Sequence, residues 1–200
     1  MIYLASRSPR RRELLQQIGV PYQIVLFREA PRRGADVDET PHTGEAPHDY
    51  VLRMALEKAT AAADMVRARR LTAHPVLAAD TTVVCDHLIL GKPDDAADAA
   101  RMLGMLAGRE HRVLTAVTVA RGDVVETRVS ESKVWFRALA ADEIRRYVAT
   151  GESGGKAGAY AVQGRAASFI SRIEGSYSGI MGLPLAETAD MLRSHGIVVP

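Results

Sequence analysis

Residues suited to phosphate chemistry come early. Ser6-Arg7-Ser8-Pro9-Arg10-Arg11-Arg12 sets two hydroxyls and four guanidinium groups where an apolar run gives way to a helix start. Unpaired N–H groups and the dipole at a helix N-terminus attract anions, and guanidinium forks match phosphate oxygens while keeping their charge. Consecutive arginines point in different directions around a helix, so only some of them can meet one ligand. The competing reading is a capped helix with solvated arginines. Asp80 closes the apolar run Val76-Leu77-Ala78-Ala79. A carboxylate at the carboxyl end of a strand in an open α/β sheet could hold a divalent cation or take a proton from an attacking water. A cap on the following turn is the equal alternative.

Other groups are less specific. Lys92, between Gly91 and Pro93, is displayed just before a helix, to a phosphate or to solvent. In Gly154-Gly155-Lys156-Ala157-Gly158-Ala159-Tyr160-Ala161-Val162-Gln163-Gly164 the spacing is not that of a Walker loop, but the small residues would let a ligand approach the backbone. The Gln163 amide offers an acceptor and donors that match the N3–H and carbonyl edge of uracil or thymine; taken by itself, a glutamine satisfying loop backbone is the favoured reading. Glu39 lies in a polar loop and Lys58 inside a helical stretch, where a lysine is ordinarily a surface residue. His42, His48, His74, His87, His111 and His195 lack the paired spacing of a zinc site, and Ser176 and Ser178 lack a nucleophile-elbow sequence. Cys85, in an expected strand, reads as a small core residue.

The elements that must position these groups follow from periodicity and turn signals. Residues 2–5 form a short buried strand, Ser8 caps a helix with Pro9 at its first position, and Gly19 ends it. A second strand is expected over 22–27, then a polar stretch over 28–49 of the length that usually carries function. One long amphipathic helix is expected over 49–70. A strand over 76–79 ends at Asp80, and residues 82–90 form a hairpin with a turn near Asp86-His87. A helix over 94–107 closes at Gly108. Strands over 113–120 and 124–136 are joined by Arg121-Gly122-Asp123. A helix over 141–150, the glycine-rich loop over 151–164, a strand over 169–173 and a helix over 184–195 complete the chain. Alternating strands and helices with a long antiparallel pair predict an α/β fold with a mixed sheet.

Composition narrows the classes further. The 200 residues are 47% hydrophobic and 25% charged, within globular range, and one domain is the default. A net charge of +2 is too small for a nucleic-acid scaffold. One cysteine excludes an internal disulfide, and the N-terminus meets arginines too early for a secretion signal or spanning helix. A cytoplasmic protein with no nucleic-acid or membrane partner is therefore expected.

Leu4-Ala5-Ser6-Arg7-Ser8-Pro9-Arg10-Arg11, Ala79-Asp80-Thr81, Gly91-Lys92-Pro93, Lys156-Ala157-Gly158-Ala159-Tyr160 with Gln163-Gly164, and Gly182-Leu183-Pro184-Leu185 together resemble the Maf family, in order and along essentially the whole chain. The resemblance implies one Maf-like domain over 1–200 with an inosine triphosphate pyrophosphatase-like (Maf/Ham1) fold: a mixed twisted sheet with flanking helices and two lobes around a deep cleft. Homodimers are common in such proteins. It implies hydrolysis of nucleoside triphosphates between the α and β phosphates with a divalent cation, Mg²⁺ or Mn²⁺. Asp80 matches the family's proton acceptor, and Ser8, Arg11, Glu39, Lys58 and Lys92 match its polar cleft residues. Asp80 and Glu39 are the acidic groups expected at the metal, and Ser8, Arg11, Lys58 and Lys92 those at the phosphates. Within the family this sequence is similar to the branch specific for dTTP and UTP, whose base-selecting positions correspond to Arg10, Thr81 and Gln163. The substrate could be a normal nucleotide or a modified one such as 5-methyl-UTP or pseudo-UTP. The alternatives are a 7-methyl-GTP pyrophosphatase, against which Thr81 and Gln163 argue, and a nucleotide-sensing regulator of septum formation. Thr82 departs from the family pattern, where an aliphatic residue is common.

Overall fold

The computed structural model describes residues 1–26 and 37–199. Its elements run β1 (Ile2–Leu4), α1 (Pro9–Gln17), β2 (Tyr22–Ile24), α2 (Pro47–Ala68), β3 (Val76–Cys85), β4 (Leu88–Leu90), α3 (Ala96–Leu106), β5 (Glu110–Arg121), β6 (Val124–Phe136), α4 (Ala141–Ala149), β7 (Ile170–Glu174), α5 (Tyr177–Met181) and α6 (Leu185–Ser194). The strands join in one seven-stranded sheet of order β2-β1-β3-β5-β6-β7, with β4 also on β3. β1 is parallel to β2 and β3, whereas β3–β4 and β6–β7 are antiparallel. The fold is therefore α/β with a mixed sheet and helices between strands, as the alternation of patterns predicts. No helix among the described residues is long and apolar enough to cross a membrane.

The chain divides into two compact units. The first comprises Met1–Asp80, Thr115–Val129 and Gly182–Pro200, and the second Thr81–Leu114 and Ser130–Met181. In the first, α2 turns an alanine-rich face to the sheet: Ala59, Ala62 and Val66 pack with Tyr3, Ala5, Val25, Val76, Ala78 and Ala120. Small side chains at helical spacing let that helix lie close to the strands. In the second, α3 buries Leu103 and Leu106 against Val134, Phe136, Tyr147, Tyr160 and Phe169. The aromatic rings there meet edge to face; Phe169 lies 6.0 Å from Phe136 and 5.1 Å from Tyr147. Full burial of each such side chain contributes about 1.5–3 kcal/mol.

Local boundaries correct three expectations. Val76–Cys85 is one strand, so Asp80 lies in mid-strand and not at a strand's carboxyl end. The β-branched run Thr81-Thr82-Val83-Val84 favours continued extended backbone, and the ladder bonds belong to the backbone, which an aspartate side chain does not interrupt. β1 pairs with Val76 and Leu77, and β4 with Val83 to Cys85, leaving Asp80 between those pairings. The second strand is Tyr22–Ile24, shorter than expected, and position 27 and residues 28–36 lie outside the described residues. Ser8 holds the N-cap position of α1 with Pro9 following, but its side chain makes no capping hydrogen bond; the Ser8 N–H donates instead to Ser6 Oγ at 3.2 Å. Gly19 ends the helix in a left-handed conformation, φ 66°, as expected.

Candidate active site

In the first unit, one ammonium gathers two carboxylates. Lys58 Nζ lies 2.7 Å from Glu39 Oε1 and 2.6 Å from Asp80 Oδ1. The Lys58 and Asp80 side chains are largely buried, 12% and 13% exposed, whereas Glu39 is about half exposed. Lys58 is no surface lysine: it stands four and eight residues after the buried Met54 and Tyr50 and shares their stripe on α2. That spacing was the signal in the sequence for its inward direction.

Arg11 approaches the same group from α1. It precedes the buried Leu14 and Leu15 by three and four residues, so of the consecutive arginines it faces inward. Its Nε donates to the Gly182 carbonyl at 2.8 Å and its Nη1 to Ser6 Oγ at 3.3 Å, which ties the Gly182-Leu183-Pro184-Leu185 motif to the N-terminal one. Burial lowers the pKa of this guanidinium; Asp80 raises it, Arg10 lowers it further and Glu39 raises it. Asp80, Glu39 and Arg10 are thus within electrostatic reach of Arg11. For Arg10 burial also lowers the pKa, with Glu13 opposing. Ser8, partly buried, sits at the start of the same helix.

Residues beyond those expected hold Glu39 in place. The Tyr50 hydroxyl donates to the Glu39 carbonyl at 3.0 Å. Arg53 grips Glu45 with two short bonds, 2.6 and 2.7 Å, and donates to the Thr40 carbonyl at 3.2 Å. The Arg53 bond pulls the Glu45 pKa to about 2, burial opposing and the His42 amide assisting. This clamp stays charged throughout the range in which enzymes are assayed. Burial, reinforced by Asp80 and Glu39, raises the Tyr50 pKa, so its hydroxyl remains a donor. Nothing in the local sequence of Arg53 distinguished it from other helix-surface arginines.

The remaining expected residues belong to the second unit. Thr81, partly buried, follows Asp80 directly on β3. Lys92 is exposed beyond β4, next to Gly91, whose carbonyl accepts from the Gly158 N–H at 3.0 Å. The Lys156–Tyr160 segment is therefore joined to the Lys92 loop. Gly158 has φ 66°, and a Cβ there would stand 2.8 Å from a Val83 methyl carbon, so only glycine fits. Gln163 is exposed, between the short 3₁₀ turns Ala157–Ala159 and Arg165–Phe169. Buried Tyr160 bonds His111 Nε2 at 2.9 Å. Cys85 is buried, as expected of a core residue.

Among the described residues no group of three or more His, Cys, Asp or Glu could hold a metal ion. Glu39 and Asp80 do fit a hard divalent cation, because their carboxylate oxygens converge on one positively charged atom. Such ions accept two protein carboxylates and complete their shell with phosphate oxygens and water.

A sequence profile described as Maf-like protein matches residues 1–195. The chain belongs to the Maf-like protein family. The Maf-like chain is 59% identical over 196 residues to the dTTP/UTP pyrophosphatase of Aromatoleum aromaticum, covering 98% of this chain and 95% of that one. It is 57% identical over 195 residues to that of Burkholderia pseudomallei, with 96% and 92% covered. With the dTTP/UTP pyrophosphatase of Nitrosomonas europaea it shares 53% over 198 residues, 99% and 96% covered. Among solved structures, the Staphylococcus aureus Ham1 protein aligns with TM-score 0.44 and 19% identity over 70% of this chain and 72% of that one.

Proposed function

We propose that this Maf-like chain is a metal-dependent nucleoside triphosphate pyrophosphatase that converts dTTP and UTP to the monophosphate and pyrophosphate. The observation that carries the reading is the convergence of Glu39 and Asp80 on Lys58 Nζ, with Arg11 within electrostatic reach. The substrate is supported by the activity named for relatives that align over nearly their whole length. We take residues 1–200 as one Maf-like domain acting on free nucleotides in the cytoplasm, without nucleic acid or membrane, and forming a homodimer.

Glu39 and Asp80 would hold Mg²⁺ or Mn²⁺, which when bound neutralises triphosphate charge that would repel a nucleophile. Asp80 accepts a proton from water as its oxygen attacks the α-phosphorus. The bond from that phosphorus to the α–β bridging oxygen breaks, and pyrophosphate leaves with the bond electrons. Charge develops on the departing group, so the cations Arg11, Lys58 and Lys92 are needed most in the transition state. Ser8 hydrogen-bonds a phosphate oxygen. Arg10, Thr81 and Gln163 select the base, with the Gln163 amide complementary to the N3–H and carbonyl edge of uracil and thymine.

The test is pyrophosphate release from dTTP, UTP, CTP, GTP and 7-methyl-GTP with Mg²⁺ or Mn²⁺, by the protein and by Asp80→Asn. Release is expected from dTTP and UTP, and a fall of about 10²–10⁴-fold in Asp80→Asn, the usual contribution of a positioned general base. Wild-type turnover in the variant removes Asp80 from the mechanism. Selective cleavage of 7-methyl-GTP overturns the base assignment.

A further inference from the structure

The loop that carries Gln163 is held by a carboxylate that the catalytic reading does not use. Glu152, just after α4, reaches across the loop to its far end. Its Oε2 accepts from the Arg165 N–H at 3.0 Å and its Oε1 from the Ala166 N–H at 3.3 Å. The Tyr147 hydroxyl, on α4, donates to Oε1 at 3.0 Å. The Ala161 carbonyl accepts from the Gly164 N–H at 3.0 Å, which closes the turn around Gln163. The pair thus holds the backbone at 165–166, directly after that turn. Gly164 makes the approach feasible: a Cβ there would stand 2.6 Å from the Glu152 carboxyl carbon. Burial pushes the Glu152 pKa up, but the two amides, the Tyr147 hydroxyl and Lys156 outweigh it and leave the group below the usual carboxylate range.

We propose that Glu152 and Tyr147 are positioning residues for base selection: together they anchor the end of the turn that carries Gln163 and so set its amide for the pyrimidine edge. The proposal rests on the reading of Gln163 as the base-contacting residue. Ala166 is buried, so its N–H left without an acceptor is costly, and the loop keeps its present course while the carboxylate is there to accept it. Neither residue takes part in the bond-breaking step, so their loss acts on binding and discrimination and leaves the chemistry in place.

The experiment measures kcat and KM for UTP, dTTP and CTP in the wild type, Glu152→Gln, Tyr147→Phe and Gln163→Ala, with backbone hydrogen exchange over 161–166. Glu152→Gln can offer only one acceptor oxygen and turns an NH₂ toward an N–H. Tyr147→Phe keeps the packed ring and removes only the hydroxyl, so it serves if the first variant folds poorly. Both are expected to raise KM for UTP and dTTP about tenfold with kcat little changed, the scale of one lost hydrogen bond in binding. Both should also lower discrimination against CTP and speed exchange at Arg165 and Ala166. Gln163→Ala should lose the same discrimination while those amides stay protected. Wild-type KM, discrimination and exchange in Glu152→Gln and Tyr147→Phe, with discrimination lost in Gln163→Ala, overturns the positioning role. Unchanged discrimination in Gln163→Ala overturns the reading of Gln163 and with it the base-selecting part; the exchange data then decide separately whether the pair holds the loop.

Discussion

Replacing Gly158 by alanine tests how the Lys156–Tyr160 segment is fastened to β3. Gly158 has φ 66°, and an added Cβ would lie 2.8 and 2.9 Å from the two Val83 methyl carbons and 3.0 Å from its Cβ. Val83 is 2% exposed, so it cannot swing aside. An L-residue in the left-handed region costs about 1–2 kcal/mol. Forcing a methyl group into a packed contact adds about 1–3 kcal/mol. A total near 3 kcal/mol corresponds to a fall of about 6–12 °C in Tm at this chain length. Thermal and urea unfolding of Gly158→Ala, Val83→Ala and the double variant measures both parts. Val83→Ala alone should cost about 2 kcal/mol through the cavity it opens. In the double variant the new methyl enters that cavity, so the sum of the single effects should exceed the double by about 1–2 kcal/mol. The backbone part remains in either background. Strict additivity, or a single-variant loss under about 0.5 kcal/mol, would refute the steric argument.

Two further predictions concern buried polar groups in the second unit. Burial lowers the His111 pKa to about 3 from its ordinary 6.5. Between those values the unfolded chain binds a proton that the folded chain does not, so stability is full above pH 6.5 and falls as pH drops toward 3, by about 1.4 kcal/mol per pH unit. In His111→Phe the difference in unfolding free energy between pH 7 and pH 5.5 should shrink by about 1–2 kcal/mol; a slope equal to that of the wild type would assign acid sensitivity elsewhere. Thr82, 2% exposed, keeps a hydroxyl without a hydrogen-bond partner among the described residues. Thr82→Val should therefore stabilise by about 1 kcal/mol, and a lower urea midpoint would show that the hydroxyl is satisfied.

Local features were legible because they depend on neighbours in the chain. The Arg121-Gly122-Asp123 turn, with Gly122 at φ 61°, joins β5 to β6 where the turn chemistry said it would. The apolar spacing of α2 and the glycine stops at Gly19 and Gly151 likewise carried through, since helix phase and left-handed backbone are read from single residues and their spacing. At Asp80 the sequence pattern points to a strand end and the fold has mid-strand, because the run of apolar residues stops there while the extended backbone continues to Cys85. Lys58 lies on the stripe of Tyr50 and Met54, yet residue type points outward, because a lysine is buried only where a partner charge meets it, and those partners come from other segments.

From the sequence alone came the α/β pattern, the phosphate-suited N-terminal turn and the ordered motifs that carry the family resemblance, because residue type and spacing specify backbone preference and burial face. Tertiary structure alone decided which charges meet. Lys58 reaches Asp80 across 22 positions, Arg11 reaches the Gly182 carbonyl across 171, and Glu152 reaches Arg165 across 13. Such meetings depend on strand pairing and helix docking, which arise from packing between distant segments and leave no periodic trace in the chain.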